Sequence, residues 1–542
     1  MPMWKKILGW FGVGSQANER AQPRANMLRE EGAVTGADGE DPERQVTQQA
    51  PLVNWNSDEQ GGSAPKGLSP KPAPAPLAAP TKPLGLRHPK QAASNPIDLV
   101  IGLDFGTSST KVAVRTPFFA NARTVVVALR PAKSGLARYL LPTSVSVLQD
   151  GTLELEATAE VTSTHADLKL RVMEACHTNS APREADDFAL AAGYMALVLR
   201  KVFEWSEGER QRHFRDHSPR WSLNIGIPSA GYDDQAMHSA YSRLGHAAWW
   251  LAQQEGPVTI THCHDALAHS NSPTFESGLH TGAFAIIPEV AAEVVGYAKS
   301  AMASQGLHVL VDVGASTLDV CSFILHDGDG EDRYALLTAD VRLLGNFKLH
   351  QYRLQKVSSL LGPRADEALA KGVATQAPFG TMPKSVQSYV SSTFAHSPGF
   401  ADELAKIDDD WLNQCRATIV GTVVALRRRR DPNSPRWREG LPLFLTGGGS
   451  LVGLYRESIE KAQESLTRAM DIKGFRVFEL PKPAALANRD VTGHDFRFLS
   501  VAFGLSNDRF QIGDIQPPSA IGDVERHERR REEAQLVDKE QV

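Results

Sequence analysis

The chain has 542 residues, of which 42% are apolar and 22% are charged, and its formal net charge is −5. This length corresponds to about three to four domains of ordinary size, so most of the chain can bury large cores. The slightly acidic balance argues against nucleic acid as a partner, because a dedicated nucleic-acid-binding protein carries a clear basic excess. The four cysteines stand far apart, without metal or disulfide spacing, which predicts a cytoplasmic protein.

The segment 1–96 differs in composition from the rest of the chain. Residues 17–96 are polar and rich in proline, and we expect them to be disordered, because they hold too few large apolar side chains to offset the entropy of folding. Residues 1–13 combine tryptophans with Lys5 and Lys6. We interpret them as a short amphipathic segment that docks on a partner protein or makes peripheral contact with anionic lipid at the inner membrane.

The next segment is LVIGLDFGTSSTKVAVR (99–115). Its apolar ends predict a strand over 99–103 and a return strand over 112–114. The turn between them carries small, hydroxyl-bearing or charged residues, namely Asp104, Gly106, Thr107, Ser108 and Lys111. Small residues let backbone N–H groups close around phosphate oxygens, a strand-end carboxylate suits hydrated Mg²⁺, and a lysine supplies a point charge.

The stretch HVLVDVGASTLDVCSFIL (308–325) repeats this design. A predicted strand over 309–311 again runs into a small-residue turn that is flanked by carboxylates. The residues of this turn are Asp312, Gly314, Ala315, Ser316, Thr317 and Asp319. Two such hairpins about two hundred residues apart predict a grip on one polyphosphate from two sides.

A third segment, PLFLTGGGSLVGLYRESIEKA (442–462), predicts a strand, a glycine-rich turn and a helix. Gly448 and Gly449 leave the backbone of this turn bare, and Ser450 adds a hydroxyl. A base or a ribose can lie against such a turn.

In this order, the three segments resemble the phosphate-1, phosphate-2 and adenosine motifs of the actin, sugar-kinase and heat-shock ATPase superfamily. IIPEVAAEVVGYAKS (286–300) resembles the connect-1 helix of DnaK-type heat-shock chaperones, and FLSVAFGLS (498–506) resembles their connect-2 helix. The resemblance covers about three quarters of the chain. It implies an α/β, two-lobed, actin-like ATPase fold, in which two ribonuclease-H-like domains flank a nucleotide cleft.

The resemblance also implies domain boundaries. Lobe I would cover 97–307, lobe II with the returning connect-2 helix would cover 308–506, and 507–542 would be a charged C-terminal tail. A chaperone continues after connect-2 with a peptide-binding domain, whereas only 36 residues follow Ser506 here. We therefore do not expect a peptide-holding function.

Residue roles follow from the same resemblance, with ATP and Mg²⁺ as the implied ligands. Asp104, Asp312 and Asp319 would hold magnesium, mostly through water. Lys169, in ADLKLRV (166–172), would neutralise the γ-phosphate, and Glu289 would orient or deprotonate the attacking water. Phosphate contacts would come from Gly106, Thr107, Ser108, Lys111, Gly314, Ala315, Ser316 and Thr317, and adenosine contacts from Gly448, Gly449 and Ser450.

Two features leave the details of the site open. Lys111 also matches a phosphate lysine of the actin branch, so either it or Lys169 could be the main phosphate lysine. The arginine that stacks on the base in the chaperones is replaced by Val452.

These features predict a DnaK-like ATP-binding protein, a slow Mg²⁺-dependent ATPase that signals its nucleotide state to a partner protein. Two alternatives stay open. IGLDFGTSSTK (101–111) also resembles the start of carbohydrate kinases, which suggests a sugar or small-metabolite kinase. The phosphate motifs serve an actin-like filament-forming ATPase equally well. Chain length and a glutamate at position 289 favour the chaperone-like switch.

Overall fold

The computed structural model describes residues 95–118, 122–156, 161–176, 182–213, 217–270, 276–328, 331–373, 382–392, 399–470 and 472–524. The chain divides into two compact units, Met1–Lys82 and Pro83–Val542, and all described residues belong to the second unit. The predictions for residues 1–13 and 17–94, and for the end of the chain beyond 524, lie outside the described residues.

The described secondary structure alternates between strands and helices. The strands are β1 (Asn95–Asp104), β2 (Ser109–Arg115), β3 (Thr124–Val126), β4 (Leu141–Pro142), β5 (Val145–Leu148), β6 (Leu153–Glu154), β7 (Val161–His165), β8 (His217–Ile227), β9 (Phe284–Pro288), β10 (Gly306–Val313), β11 (Leu318–Gly328), β12 (Glu331–Arg342), β13 (Leu441–Thr446), β14 (Phe475–Phe478) and β15 (Asp514–Gln516). The helices are α1 (Leu168–Ala175), α2 (Pro182–His213), α3 (Gln235–Gln253), α4 (Ile260–His269), α5 (Glu289–Ala298), α6 (Asn346–Leu361), α7 (Ala365–Ala368), α8 (Phe400–Ala425), α9 (Arg436–Glu439), α10 (Gly453–Met470), α11 (Gly493–Phe496), α12 (Ser500–Leu505), α13 (Arg509–Ile512) and α14 (Pro518–Ile521).

Two mixed sheets organise these elements. The first has the order β3-β2-β1-β8-β9, and β4 also pairs with β2; the second has the order β14-β13-β10-β11-β12-β15. In each sheet, three consecutive strands form an antiparallel meander, and two later strands add in parallel beside the first strand of that meander. The prediction of an α/β fold is confirmed, and the same strand order occurs twice.

The second sheet is buried on both faces. Along β10, Val309 and Val311 join a core formed with α8 and α10. Leu310 points to the opposite face, into a core that it shares with α5 and α12. Ala113 and Val126 of the first sheet belong to that same core. Because alternate side chains of β10 enter two cores, its sequence is almost continuously apolar rather than alternating with polar residues.

Helices α5 and α12 lie in backbone contact between the sheets. A Cβ atom at Gly504 would overlap the backbone of Ala292 in α5, so only glycine allows this approach. On its other side α12 lies against β1, where a Cβ at Gly102 would overlap the backbone of Ser506. The junction of the two sheets therefore depends on small residues in both helices.

Residues 507–524, which the sequence analysis assigns to the charged tail, are folded. β15 adds to the edge of the second sheet beside β12. Gln511 Nε2 donates to the carbonyl of Pro117, and Ser519 Oγ donates to Asp233, both in the part of the chain that carries the first sheet. A three-residue strand is too short for its sequence to display a recognisable alternation, which is why the composition alone favoured a tail.

A helix needs about 20 consecutive apolar residues to cross a bilayer. Within the described residues, no helix is long and apolar enough to cross a membrane.

The contact between α5 and α12 gives a stability prediction. We expect Gly504→Ala to lower the free energy of unfolding by roughly 2 kcal/mol or more, because the added methyl group must push two packed backbones apart. Gly421→Ala is the matched control, since Gly421 is exposed within α8 and a Cβ there meets no atom within 4 Å. This control should gain about 0.5–1 kcal/mol from helix propensity. Urea unfolding measures both changes, and equal stability of the two variants would contradict the close approach.

Candidate functional site

The first turn follows β1 directly. Asp104 and Lys111 are paired residues of the β1–β2 hairpin, and Lys111 Nζ lies 3.0 Å from Asp104 Oδ2. The turn between the strands is fixed from outside by Thr143, whose hydroxyl donates to the carbonyl of Gly106 over 2.8 Å and whose N–H donates to that of Ser108 over 3.0 Å. The backbone of the turn is therefore held in place by a neighbouring loop.

The second turn has the same geometry. Asp312 and Asp319 are paired residues of the β10–β11 hairpin, and the N–H of Gly314 donates to the carbonyl of Thr317 over 2.9 Å. The first N–H groups of α6 donate to this turn: that of Asn346 to Gly314 and that of Phe347 to Ala315. The start of α6 thus fixes the shape of the turn.

The third turn begins at Gly447, immediately after β13. This glycine has a φ of +77°, and a Cβ there would overlap Asp312 Oδ1. Both facts require glycine at this position, because L side chains rarely adopt such a φ. Thr446, the preceding residue, pairs with Asp312 across the parallel β10–β13 ladder. The glycine-rich turn therefore lies against the carboxylate of the second turn.

A buried ion pair completes this group of residues. Glu289 is the first residue of α5, and its Oε1 lies 2.6 Å from Lys169 Nζ, which comes from α1. The hydroxyl of Ser229 accepts from the N–H of Val290 over 3.1 Å and so fixes the start of α5. The side chain of Lys169 is 7% exposed and that of Glu289 is 12% exposed.

All three turns and the Lys169–Glu289 pair line one cleft of about 450 Å³. This volume is in the range of small-molecule binding sites. The site residues predicted from the sequence that line the cleft are Asp104, Gly106, Thr107, Ser108, Lys111, Lys169, Glu289, Asp312, Gly314, Ala315, Thr317, Asp319, Gly448 and Gly449.

Two predicted site residues, Ser316 and Ser450, do not line the cleft. Ser316 is 1% exposed, and its carbonyl accepts from the N–H of Gly345. The hydroxyl of Ser450 donates to the carbonyl of Gly447 over 2.7 Å and accepts from Arg497 Nη1 over 2.9 Å. Both serines therefore support the turns through hydrogen bonds to other residues of the protein.

The cleft also contains residues that the sequence analysis missed. Glu293 lies one turn after Glu289 in α5, and its Oε1 accepts from the hydroxyls of Thr446 (2.7 Å) and Ser500 (3.0 Å). The sequence does contain a signal for this residue, because Glu293 stands within an otherwise apolar helical segment. The other missed residues that line the cleft include Asn346, Met382, Lys384, Arg497 and Phe498.

Burial and neighbouring charges perturb the carboxyl groups of the cleft. Burial, followed by the charge of Glu289, raises the pKa of Asp312 to about 7. Burial and then the charge of Asp312 raise the pKa values of Asp319 and Glu293 well above the ordinary range. Burial alone would lower the pKa of Lys169, but the charge of Glu289, its hydrogen bond to Lys169 and the charges of Asp104 and Asp319 together outweigh burial and leave that pKa raised. Carboxylates that repel one another in this way favour a bound cation.

The donor set suits magnesium held through water and phosphate. Among the described residues, no three His, Cys, Asp or Glu side chains are arranged to hold a metal directly. Mg²⁺ usually keeps several waters and takes one or two carboxylates together with substrate phosphates. Asp319 Oδ1 is buried and has no hydrogen-bond partner in the described residues, so it is available to such a hydrated ion.

Comparison of the sequence with known proteins gives no match. A scan of the sequence against protein-family models finds no matching family, and a search of curated proteins finds no match.

The raised pKa of Asp312 predicts how the stability of the ligand-free protein depends on pH. The folded state binds more protons than the unfolded chain between the ordinary pKa near 3.8 and about 7, so stability falls as the pH rises through this window. We expect Asp312→Asn to remove this loss and to be more stable than the wild type at pH 8, by on the order of 1–2 kcal/mol because solvent in the cleft screens the charge.

Thermal unfolding in EDTA at pH 5 and pH 8 measures the effect. Asp265→Asn, at an exposed position of α4, is the control. A stability difference between Asp312→Asn and wild type that stays the same at both pH values would contradict the assigned charge repulsion.

Proposed function

We propose that this protein is a Mg²⁺-dependent ATP-binding switch with a two-lobed, actin-like fold of the DnaK type, and that it hydrolyses ATP slowly. The observation that carries the proposal is the convergence of three separate turns, 104–111, 312–319 and 447–449, on one cleft with buried carboxylates and lysines. A polyphosphate with its metal ion has the charge and the shape that this arrangement complements.

The topology supports the proposed fold. The antiparallel meander with two added parallel strands occurs in both large sheets, as expected for two ribonuclease-H-like domains. Both phosphate turns follow the first strand of their meander, so the two domains present equivalent turns. Helices α5 and α12, which resemble the connecting helices of the family, lie in contact between the two sheets.

The charges support a division of roles. Asp104, Asp312 and Asp319 would hold hydrated magnesium, which spreads the negative charge that develops in phosphoryl transfer. Lys169 uses one N–H donor on Glu289, so its other donors remain for a phosphate oxygen. Glu289 keeps its second oxygen for the attacking water. It accepts a proton from this water as the water oxygen bonds to the γ-phosphorus and ADP leaves with the electron pair of the broken P–O bond.

Residues 507–524 support the proposal that nucleotide state is signalled to a partner. They pair with the second sheet through β15 and hydrogen-bond to the part of the chain that carries the first sheet through Gln511 and Ser519. A change in the spacing of the two sheets would alter these contacts. Another protein could recognise that change.

The metal role is tested on binding. We expect Asp312→Asn to weaken ATP binding at least tenfold in the presence of Mg²⁺, because one carboxylate of the hydrated ion's site is lost. In EDTA the variant and the wild type should bind ATP with similar affinity. Calorimetric titration of the full chain measures both conditions, with Asp265→Asn as the control. Unchanged affinity in Mg²⁺ would count against the assignment of the second turn to the metal and phosphates.

The role of Glu289 is tested on turnover. We expect Glu289→Gln to lower ATP hydrolysis roughly 100-fold while nucleotide affinity changes little, because its carboxylate acts on the water and not on the nucleotide. Single-turnover phosphate release measures the rate, and Glu460→Gln on the exposed face of α10 is the matched control. If hydrolysis persists at the wild-type rate, Glu289 serves only as the partner of Lys169.

A parallel assay with sugars tests for phosphorylated sugar, the product expected of a kinase.

A further inference from the structure

The cations that line the cleft differ in what they contact. Lys111 pairs with Asp104, Lys169 pairs with Glu289, and Arg497 contacts Glu479 Oε2 over 3.0 Å and Ser450. Lys384 also lines the cleft and is exposed. It has no ion pair with any described residue, so its ammonium group is available to an anionic ligand.

The loop that carries Lys384 contains no strand or α-helix over 382–385, so side chains must hold its backbone in place. The buried side chain of Arg353, in α6, holds the backbone of this loop. Its Nη1 donates to the carbonyl of Pro383 over 2.9 Å, and its Nη2 donates to that of Lys384 over 3.4 Å. Arg353 is 1% exposed and is among the largest fully buried side chains in the described residues.

Asp408 of α8 completes this support. It accepts from Arg353 Nε over 2.6 Å and from Nη2 over 2.8 Å, and it also accepts from the N–H of Val386 over 3.2 Å. The guanidinium of Arg353 also lies over the ring of Tyr389, 5.7 Å from its centroid. The ion pair thus binds the loop at Pro383, Lys384 and Val386 together.

Stability alone does not account for such a pair. A buried ion pair gains little net stability, because both charges lose their hydration, and apolar side chains of similar volume serve as well or better. What the pair does supply is a fixed geometry, since a planar guanidinium binds a carboxylate and two carbonyls in defined directions. The backbone that this pair fixes is that of Lys384, which is the one cation of the cleft without an ion pair among the described residues.

We propose that Lys384 is a further nucleotide-binding residue, which contacts the phosphate chain of the bound nucleotide, and that the Arg353–Asp408 pair is its positioning device. The inference rests on the proposed function, because it takes a nucleotide as the ligand of the cleft. It adds a cation from a part of the chain that carries none of the three phosphate and adenosine motifs.

The experiment is a calorimetric titration of the full chain with Mg·ATP. Lys384→Met keeps the length and apolar stem of the side chain but removes its charge, and we expect the dissociation constant to rise roughly tenfold. The dissociation constant of Lys384→Arg should stay within about threefold of the wild-type value, because arginine keeps the positive charge. Lys371→Ala, an exposed lysine of the same region that does not line the cleft, is the control and should bind like the wild type.

The positioning role is tested by a double-mutant cycle. Asp408→Asn should weaken Mg·ATP binding severalfold in the wild-type background and cause no further loss in the Lys384→Met background. An equal loss in both backgrounds would overturn the positioning role. Because Asp408→Asn removes one charge of a buried pair, circular dichroism is used to check its fold. The exposed Lys384 variants decide the binding role independently of that result.

The outcomes separate the inference from the proposed function. If the wild type binds Mg·ATP and Lys384→Met binds it equally well, the inference is wrong and the proposed function stands. If Lys384→Met and Lys384→Arg lose affinity equally, the contact does not depend on charge and the phosphate assignment is wrong. If the wild type binds no Mg·ATP, the proposed function fails and the inference fails with it.

Discussion

The burial of several neighbouring carboxylates in one cleft is the constraint on which the organisation of this protein depends. Five carboxylates, Asp104, Glu289, Glu293, Asp312 and Asp319, line one cleft, and the two lysines among them are already paired. Burial and mutual repulsion raise the pKa values of three of the five. A protein interior keeps such a group together only where the surrounding structure holds it there, and perturbed carboxylates of this kind are concentrated at functional sites.

The backbone supplies that support. Asp104 is the last residue, and Asp312 the last but one, of the first strand of an antiparallel meander, so their positions are fixed by the ladders of two separate sheets. Gly447 brings the third turn against Asp312 in a conformation that favours glycine. Residues outside the turns fix them further. Thr143 donates hydrogen bonds to the first turn, and the N–H of Asn346 donates to the second turn. The backbone of all three turns is therefore fixed by contacts within the protein.

Local patterns explain what the sequence could predict. A buried apolar run followed by Asp and Gly predicts a strand and its turn, and this placed Asp104, Asp312 and their neighbours at the cleft. The face of a turn on which a hydroxyl lies depends on tertiary packing, which the sequence does not show. The sequence therefore predicts a ligand contact for Ser450, whereas its hydroxyl contacts Gly447 and Arg497. Lys384 carried no local signal, because the ion pair that holds the backbone of its loop comes from α6 and α8, which lie elsewhere in the sequence.

Helix α5 joins the chemistry of the cleft to the junction of the sheets. Its first residue, Glu289, pairs with Lys169, and one turn later Glu293 accepts hydrogen bonds from Thr446 of β13 and Ser500 of α12. Ala292, next to Glu293, is the residue whose backbone meets Gly504 of α12. Within five residues, 289–293, one helix therefore contacts Lys169, the strand before the glycine turn and helix α12. Close packing at Gly504, where a Cβ would lie 1.7 Å from the carbonyl oxygen of Ala292, leaves the contact between α5 and α12 little room for local rearrangement.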